Sequence, residues 1–354
     1  MTRKKTDIEL QPNLSPIELA RDLEELNQRR LKQVELAAAQ STREAYEFDM
    51  GQFERWCGER GARHLPCEPD VLGIYLAHLE RLGRKPNTIA RKLAAIVRHH
   101  KARGHDSPRN ATVSEQMKGI RRGDVGNRPD PVKEAPPMTT HELVKIVRAM
   151  ESSPATHRDL VLRDKAAILI GWACAMRRSE IAALEIGDAE HTRQGWQIWI
   201  RRSKTDKTGK GIALALAPAE RNKDLCPVDA LEAWLEKRRG PEGDKQPDGA
   251  LFWKSNEQHE HRTVLPRLLP GEPMPWNQVN RMVRRWGRAA ELESSNGHPF
   301  SPHSLRAGFI TEAIMMGRPI ANTKERSRHV SMDVFFKYVR IAMTFENNVQ
   351  KGLL

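Results

Sequence analysis

One aperiodic stretch, GDVGNRPDPVKEAPPM at residues 123–138, constrains the fold of this chain more than any other feature. It is rich in Pro and Gly, which interrupt both helices and strands, so it indicates a linker. A chain of 354 residues is also long for a single hydrophobic core. The sequence therefore predicts an all-helical domain at residues 41–122 and a second domain at 139–343, with an N-terminal tail and helix at 1–40 and a C-terminal tail at 344–354.

Helical periodicity dominates both predicted domains. Apolar residues recur at helical spacing in most segments, for example in STREAYEFDMGQFERWC at residues 41–57. The exception is GWQIWIRR, in which Trp196, Ile198 and Ile200 alternate with other residues before a turn and the segment GIALALA. This pattern predicts a mainly α fold whose second domain contains one small antiparallel β-hairpin.

The chain has a strong excess of basic residues. It contains 59 Lys and Arg against 46 Asp and Glu, a net charge of +13, which favours nucleic acid or an anionic membrane surface as partner. The longest apolar run, at residues 166–176, is too short to cross a bilayer, and no signal-peptide core follows MTRKKTD. We therefore expect a cytoplasmic protein, associated with the nucleoid if the source is a prokaryote. Its four cysteines form no C-x-x-C pair, so neither a disulfide framework nor a metal site is expected.

Basic residues concentrate on two predicted helices, one in each domain. Residues 84–103 contain seven Lys or Arg and no acid, and four arginines repeat at i, i+3, i+4 and i+7 from residue 281. The apolar positions leave these basic side chains pointing outward, where they would contact the phosphates of a duplex. Neither helix has the bulky apolar face of a membrane anchor, which favours nucleic acid. The candidate DNA-binding residues are Arg84, Lys85, Thr88, Arg91, Lys92, Arg98, Lys101, Arg202, Arg281, Arg284, Arg285 and Arg288.

The segment RHVSMDVFFKYVR at residues 328–340 contains Tyr338, one of only three tyrosines in the chain. Tyr338 follows His329 by nine residues on a predicted helix. Packing alone can explain such a residue, because Val334 and Tyr338 are spaced to share one helical face. A nucleophile is the alternative, and the polar residues of the second domain bear on the choice.

Three further segments supply residues suited to a phosphodiester. CAMRRSEIAAL places Arg177 one helical turn before Glu180, and Lys204 lies at the end of the first hairpin strand. In SPHSLR, a Ser and a Pro are typical of a helix start, so His303 and Arg306 lie near unpaired amides that favour phosphate. Each segment alone has an ordinary structural explanation, such as a helix salt bridge. Two arginines together with two histidines suit the doubly charged transition state of phosphoryl transfer.

This set of residues, in this order, resembles the tyrosine recombinase (phage integrase) family. The family's pattern has an R-x-S-E-type turn, a hairpin Lys, H-x-L-R, and a His nine residues before the nucleophilic Tyr. It is met here by RRSE at residues 177–180, Lys204, HSLR at residues 303–306, and the pair His329 and Tyr338.

The resemblance covers most of the chain, from about residue 41 to residue 340, and implies a fold, an activity and partners. The fold is a SAM-like core-binding domain that clamps DNA, followed by a catalytic domain of the DNA breaking-rejoining type. The activity is site-specific strand exchange through a 3′-phosphotyrosine, as in mobile-element integration, multimer resolution or inversion. The partners are double-stranded DNA with paired recombination sites and other copies of the chain, a dimer on each site and a tetramer in synapsis. The C-terminal tail would dock on a neighbouring protomer, with packing on its own domain as the alternative.

The implied chemistry requires no nucleotide cofactor and no metal, because a protein side chain conserves the energy of the broken ester. Tyr338 is the implied nucleophile. Arg177 and Arg306 would donate fork-like hydrogen bonds to nonbridging phosphate oxygens, and His329 would add a third donor. Arg178 is assigned to structure or to the DNA backbone.

Proton transfer and orientation involve the remaining residues of the implied site. Lys204 is the candidate general acid for the leaving oxygen, and His303 would assist proton transfer near the nucleophile. Lys207 and Lys210 are alternatives for the acid, because hairpin turns vary in length. Glu180 would orient the site.

Two positions depart from the family's pattern. Arg328 occupies the position before the last His, where the family usually has Gly. Ala175 and Met176 occupy the two positions before the first Arg, where the family usually has Gly-Leu. Neither departure removes a catalytic group. A type IB topoisomerase and a non-catalytic DNA-binding relative are the competing functions, and the intact Tyr338 argues against the second.

Overall fold

The computed structural model of the protein describes residues 15–36, 40–126, 135–154, 158–201, 209–239, 248–256, 266–294 and 297–343. The chain divides into two compact units, Met1–Pro131 and Val132–Leu354. Within the described ranges, no helix combines the length and the apolar character that crossing a membrane requires.

The first unit contains helices and connecting turns but no strand within its described residues. Its helices are α1 (Pro16–Leu36), α2 (Gln40–Gly58), α3 (Pro69–Arg81), α4 (Pro86–Ala102) and α5 (Ala111–Gly126). A proline begins both α3 and α4, where its fixed φ suits the first helical position and no N–H is needed. The apolar faces meet in one core that includes Phe53, Leu72, Leu76, Ile89 and Ile96. The all-helical prediction for this region is confirmed.

Lys92 is an exception to the prediction that the basic residues of α4 face outward. Its side chain is only 5% exposed, because position 92 lies one helical turn from both Ile89 and Ile96 on the apolar face. The Lys92 ammonium lies 2.8 Å from Asp49 of α2, and Arg91 contacts the other oxygen of that carboxylate at 2.8 Å. The outward orientation is therefore wrong for Lys92, which joins α4 to α2.

The second unit combines helices with two small sheets. Its helices are α6 (Thr140–Glu151), α7 (Arg158–Ala173), α8 (Arg178–Ala182), α9 (Pro227–Arg239), α10 (Trp276–Ala289), α11 (Pro302–Met315), α12 (Ile320–Ser327) and α13 (Met332–Met343). Its strands are β1 (Ala189–Thr192), β2 (Gly195–Ile200), β3 (Ile212–Leu216), β4 (Trp253–Ser255) and β5 (Leu268–Pro273). This mainly α architecture with small antiparallel sheets confirms the predicted fold class.

The strands β1, β2 and β3 form one antiparallel sheet in that order, and β4 pairs with β5 in another. In the first sheet, Ile198 lies opposite Ala189 on one side and Leu214 on the other. The β2–β3 pair is the predicted hairpin, and Trp196, Ile198 and Ile200 are all buried as their alternation predicts. The sequence analysis missed β1 and the β4–β5 pair, because these strands are too short or too polar to show alternation.

Both ends of the predicted linker belong to ordered elements. Residues 123–126 continue α5 and are therefore helical. At the other end, Met138 is fully buried in the second unit, where its N–H donates to the Ser304 carbonyl at 2.9 Å. The Met138 carbonyl accepts from the Trp172 indole at 2.8 Å. Residues 127–134 of the linker lie outside the described residues.

A buried cluster of charges joins α7 to α10. The Asp164 carboxylate contacts Arg163 and Arg285, and it accepts from the Trp286 indole at 2.7 Å. Burial alone would raise the pKa of Asp164, but the two guanidiniums hold it below its ordinary value. The prediction that Arg285 points outward is therefore wrong, because its guanidinium turns inward to Asp164.

The helix α13 packs along α11. Phe335 and Tyr338 form one apolar cluster with Ala307 and Ile310. Val334 is instead 45% exposed, so it does not share the buried face of Tyr338 as the packing explanation predicts. Tyr338 is 7% exposed, and its ring is a packed part of the fold whatever its chemistry.

Candidate active site

The first arginine of the site lies between the end of α7 and the start of α8. The chain leaves α7 through Ala175, which has a left-handed φ of 45°, and Arg177 directly precedes α8. The Arg177 guanidinium lies 2.7 Å from one oxygen of Glu180, and the Arg177 N–H donates to the other at 2.8 Å. These two contacts fix the orientation of Arg177 while 21% of its side chain stays exposed.

The helix α11 contributes His303 and Arg306 from its first turns. Ser301 and Pro302 occupy the cap and the first helical position, as the sequence predicts. His303 is exposed, whereas Arg306 is 1% exposed and donates to the Ala175 carbonyl at 2.8 Å. The second arginine is therefore held by the turn that leads to the first.

His329 follows α12 and lies beside Arg306. Its Nδ1 lies 3.4 Å from an Arg306 nitrogen and 2.9 Å from the Ser327 hydroxyl. A guanidinium has only donors, so Nδ1 accepts and the ring hydrogen belongs on Nε2. Burial, followed by the positive charges of Arg306 and Arg177, lowers the pKa of His329 to about 3. At neutral pH, His329 is therefore a neutral imidazole whose Nε2–H can donate.

Tyr338 reaches the site from α13. Its hydroxyl lies 2.7 Å from Nε2 of His303, and its ring centroid lies 5.5 Å from that of His329. The phenol thus touches one histidine and lies beside the other. The structure brings together five of the six predicted catalytic residues: Arg177, His303, Arg306, His329 and Tyr338.

The site concentrates positive charge. Burial, together with repulsion from Arg177 and Arg328, lowers the pKa of Arg306 to about 9. Burial alone would raise the pKa of Glu180, but Arg328 and Arg177 bring it below its ordinary value, so Glu180 is a carboxylate. Three guanidiniums around one carboxylate leave two positive charges, which match the doubly charged transition state of phosphoryl transfer.

Sequence reasoning noted Arg328 only as a departure from a motif and assigned it no role. In the structure, its guanidinium lies 2.7 Å from Glu180 and its side chain is 6% exposed. The sequence does contain an indication of such a role, because Arg328 is a long cationic residue at a position where the family's pattern has glycine, next to the candidate catalytic residue His329.

Four predicted residues belong to the segment between β2 and β3. Lys204, the predicted general acid, lies outside the described residues, as do Lys207 and the DNA-binding candidate Arg202. Lys210, the other alternative acid, is exposed just before β3. Across the part of the chain that the structure describes, no group of three or more His, Cys, Asp or Glu side chains is arranged to hold a metal ion.

A basic groove of about 1600 Å³ lies on one side of α4. Two predicted DNA-binding residues, Arg98 and Lys101, line it. So do Arg43, Lys118 and Arg121, which the sequence analysis did not single out. The groove therefore has more positive charge than α4 alone provides.

The remaining candidates of α4 lie elsewhere on the helix. Arg84, Thr88 and Arg91 line a smaller cavity of about 290 Å³, beside the exposed Phe48. Lys85 is exposed at the residue before the helix. The predicted basic face of α4 is therefore divided between two surfaces.

The arginines of α10 do not form one exposed stripe. Arg288 is exposed, whereas Arg281 and Arg284 are half-buried. Arg178, next to the first arginine of the site, stacks on Trp276 in the first turn of α10, 4.2 Å from the ring centroid. This cation–π contact joins α8 to α10.

Two curated relatives align with nearly the whole chain. An integrase/recombinase XerD homolog of Selenomonas ruminantium is 28% identical over 92% of this chain and 89% of its own length. The tyrosine recombinase XerD of Pseudomonas aeruginosa is 24% identical over 87% of this chain and 89% of its own. These relatives favour neither a topoisomerase nor a non-catalytic DNA-binding protein.

Two solved structures have the same fold. The integrase of the transposon Tn1549, in complex with transposon right-end DNA, aligns with a TM-score of 0.55 over 85% of this chain and 89% of its own, at 15% identity. A lambda integrase dimer bound to a core site aligns with a TM-score of 0.52 over 93% of this chain and 81% of its own, at 18% identity.

The chain is a tyrosine-type site-specific DNA recombinase. Residues 137–344, more than half of the sequence, match the phage integrase family, and residues 30–103 match the N-terminal SAM-like domain of phage integrases. The chain belongs to the phage integrase family.

Proposed function

We propose that this chain cleaves and rejoins DNA through a covalent 3′-phosphotyrosine at Tyr338 and exchanges strands between two sites. One observation carries the proposal, the 2.7 Å contact between the Tyr338 hydroxyl and Nε2 of His303. A phenol that contacts an imidazole, in a site that also holds Arg177 and Arg306, has the groups that phosphoryl transfer needs.

Cleavage begins at the Tyr338 oxygen. This oxygen attacks the phosphorus while its proton passes to Nε2 of His303, and the bond from phosphorus to the 5′ oxygen breaks. The energy of that ester is kept in the phosphotyrosine bond, so the 5′-hydroxyl of another strand can reverse the step. The same site thus breaks one strand and joins it to a new partner.

The arginines and His329 stabilise the negative charge that develops on the nonbridging oxygens. Glu180 orients Arg177, and the Ala175 carbonyl orients Arg306, so both guanidiniums are set before DNA binds. The neutral His329 adds its Nε2–H as a third donor. Loss of one such donor should lower the cleavage rate about 10²–10³-fold.

We assign the general acid to Lys204, with Lys207 and Lys210 as alternatives. A 5′ alkoxide is a poor leaving group, so loss of the acid should lower the rate about 10²–10⁴-fold. In a substrate with sulfur at the 5′-bridging position, the leaving group is a much less basic thiolate, which hardly needs the proton. Lys204→Ala should recover most of its rate on that substrate, whereas Arg306→Ala should not. Recovery by Lys207→Ala or Lys210→Ala instead would reassign the acid.

The proposed partner is double-stranded DNA with paired recombination sites, bound by a dimer on each site and a tetramer in synapsis. Lambda integrase, solved as a dimer on a core site and as a tetramer on a Holliday junction, supports this assembly by analogy. The first unit would clamp the duplex, with Arg98 and Lys101 in contact with phosphates. The tail at residues 344–354, which lies outside the described residues, would dock on a neighbouring protomer.

Trapping of the covalent intermediate tests this function. A duplex selected from a random-sequence library by its binding to the wild-type protein is nicked beside the cleavage position, so that the released fragment diffuses away. The wild type should accumulate an adduct at Tyr338, and Tyr338→Phe should bind the same duplex equally well and form none. An adduct with Tyr338→Phe, or an adduct that maps to Tyr46 or Tyr75, would refute the proposal.

A further inference from the structure

Two helices that lead into the site end in the same kind of turn, and in both turns the left-handed residue is not glycine. This residue is Ala175 after α7, with φ of 45°, and Arg328 after α12, with φ of 54°. In each turn the next N–H donates to the carbonyl five residues earlier, at 2.8 Å and 3.3 Å respectively. Glycine is usual at this position, because a Cβ is strained there. Both turns coincide with the two departures from the family's motif.

The Arg328 side chain extends from its own turn to the other one. Its guanidinium donates to the carbonyl oxygens of Cys174 and Ala175, both at 3.0 Å. It also lies 2.7 Å from the Glu180 carboxylate. The residue that strains the turn after α12 therefore stabilises the turn that follows α7, where the carbonyls of Cys174 and Ala175 lie beyond the helix.

Two of the groups that Arg328 binds, Glu180 and the Ala175 carbonyl, also hold an arginine of the site. Glu180 contacts the Arg177 guanidinium at 2.7 Å through its other oxygen, and the Ala175 carbonyl accepts from Arg306 at 2.8 Å. The Arg328 carbonyl in turn lies 3.4 Å from the Arg177 guanidinium. The Arg328 side chain is thus one contact removed from each of the two arginines.

We infer that Arg328 is a positioning residue for strand cleavage, which holds Glu180 and the Ala175 carbonyl so that Arg177 and Arg306 meet the phosphate in one orientation. The inference rests on the proposed function, because that function gives the two arginines a phosphate to bind. The positive charge of Arg328 also helps to keep His329 neutral, after the larger effects of burial, of the other two arginines and of His303.

Arg326 provides a matched control from the same helix. It donates to the Ala173 carbonyl of α7 at 2.9 Å and to the Ala215 carbonyl of β3 at 2.8 Å. It therefore joins α12 to the end of α7 as Arg328 does, but its hydrogen bonds within the described residues go neither to Glu180 nor to Ala175.

The test measures single-turnover adduct formation on the selected nicked duplex, together with DNA affinity and the urea midpoint of unfolding. Arg328→Ala should react about 10- to 100-fold more slowly than the wild type, as when reacting groups are misplaced by about 1 Å, with unchanged DNA affinity. Arg328→Gly removes the left-handed strain, so it should be at least as stable as Arg328→Ala and equally slow. Arg326→Ala should react at nearly the wild-type rate.

A double variant separates positioning from a general loss of structure. If Arg328 acts through Arg177, the variant lacking both side chains should lose less than the product of the two single losses, because the effects overlap. Multiplicative losses, a wild-type rate for Arg328→Gly, or an equal loss in Arg326→Ala would overturn the inference. A wild-type protein that forms no adduct would instead overturn the proposed function, and the inference with it.

Discussion

Replacing Gly308 with Ala is expected to destabilise the second unit, because the added methyl group has no room. A Cβ at this position in α11 would lie 1.7 Å from the Met138 carbonyl oxygen and 2.3 Å from its carbonyl carbon. Backbone atoms cannot rotate away as the end of a side chain can. The segment around Met138, which leads into α6, must therefore move off α11.

The size of the effect follows from the contacts of Met138. Its two hydrogen bonds, with Ser304 at 2.9 Å and Trp172 at 2.8 Å, are together worth about 2 kcal/mol. Met138 is 0% exposed, and exposing its side chain adds about 2 kcal/mol. The free energy of unfolding should fall by about 4 kcal/mol, which lowers the urea midpoint by about 2 M at an m-value of about 2 kcal/mol per molar.

Tryptophan fluorescence in urea measures this loss, because seven of the eight tryptophans belong to the second unit. Gly287 is the matched control, since it is a buried helical glycine of α10 whose Cβ would meet only the Phe300 Cβ at an ordinary 3.7 Å. Gly287→Ala should leave stability unchanged or raise it by up to about 1 kcal/mol. Equal midpoints for Gly308→Ala and Gly287→Ala would refute the reasoning.

Three further predictions concern charge. The pKa of His329 is lowered to about 3 in the folded chain. Below about pH 6.5 the unfolded chain therefore binds a proton that the folded chain does not, so the free energy of unfolding decreases as the pH is lowered. Between pH 7 and pH 5 the wild type should therefore lose up to about 2 kcal/mol more than His329→Gln, and equal losses in parallel urea titrations would contradict this. Lys92→Ala leaves the buried Asp49 with one partner fewer and should lower the free energy of unfolding by about 2 kcal/mol. Urea unfolding followed by circular dichroism measures this loss, and a loss near zero would mean that the pair contributes nothing to stability. Replacing Arg98 and Lys101 by Ala should reduce the slope of log affinity against log salt by about 0.9 for each phosphate that the variant no longer neutralises, and an unchanged slope would exclude them from the DNA interface.

Spacing in the sequence predicts the geometry within each segment of the candidate site, because its members belong to short motifs at helix ends, whereas the meeting of the segments in one site was implied by the resemblance to the tyrosine recombinase family. In SPHSLR, the residues that start α11 are adjacent to His303 and Arg306, so local structure and chemistry are encoded in one segment. The same holds for Arg177 and Glu180, which are one turn apart at the start of α8. The catalytic roles of these residues stay predictions.

Helical spacing does not identify the distant acid with which a buried basic side chain pairs. Lys92 turns inward to Asp49, 43 residues earlier, and Arg285 turns inward to Asp164, 121 residues earlier. Neither partner can be paired with its base from helical spacing alone. The contacts of Arg328 were inaccessible for the same reason, because Glu180 precedes it by 148 residues.

The packing of α13 on α11 determines which polypeptide supplies each part of the reaction. Tyr338, His303 and Arg306 come together within one chain, through contacts that α11 and α13 make with each other. A mixture of Tyr338→Phe and Arg306→Ala proteins should therefore form adduct no faster than Arg306→Ala alone, since each protomer lacks a part of its own site that its neighbour cannot supply. Adduct formation by the mixture near the wild-type rate would mean that the nucleophile crosses between protomers. In a self-contained site, Tyr338 stays beside His303 only while α13 packs on α11 of the same chain.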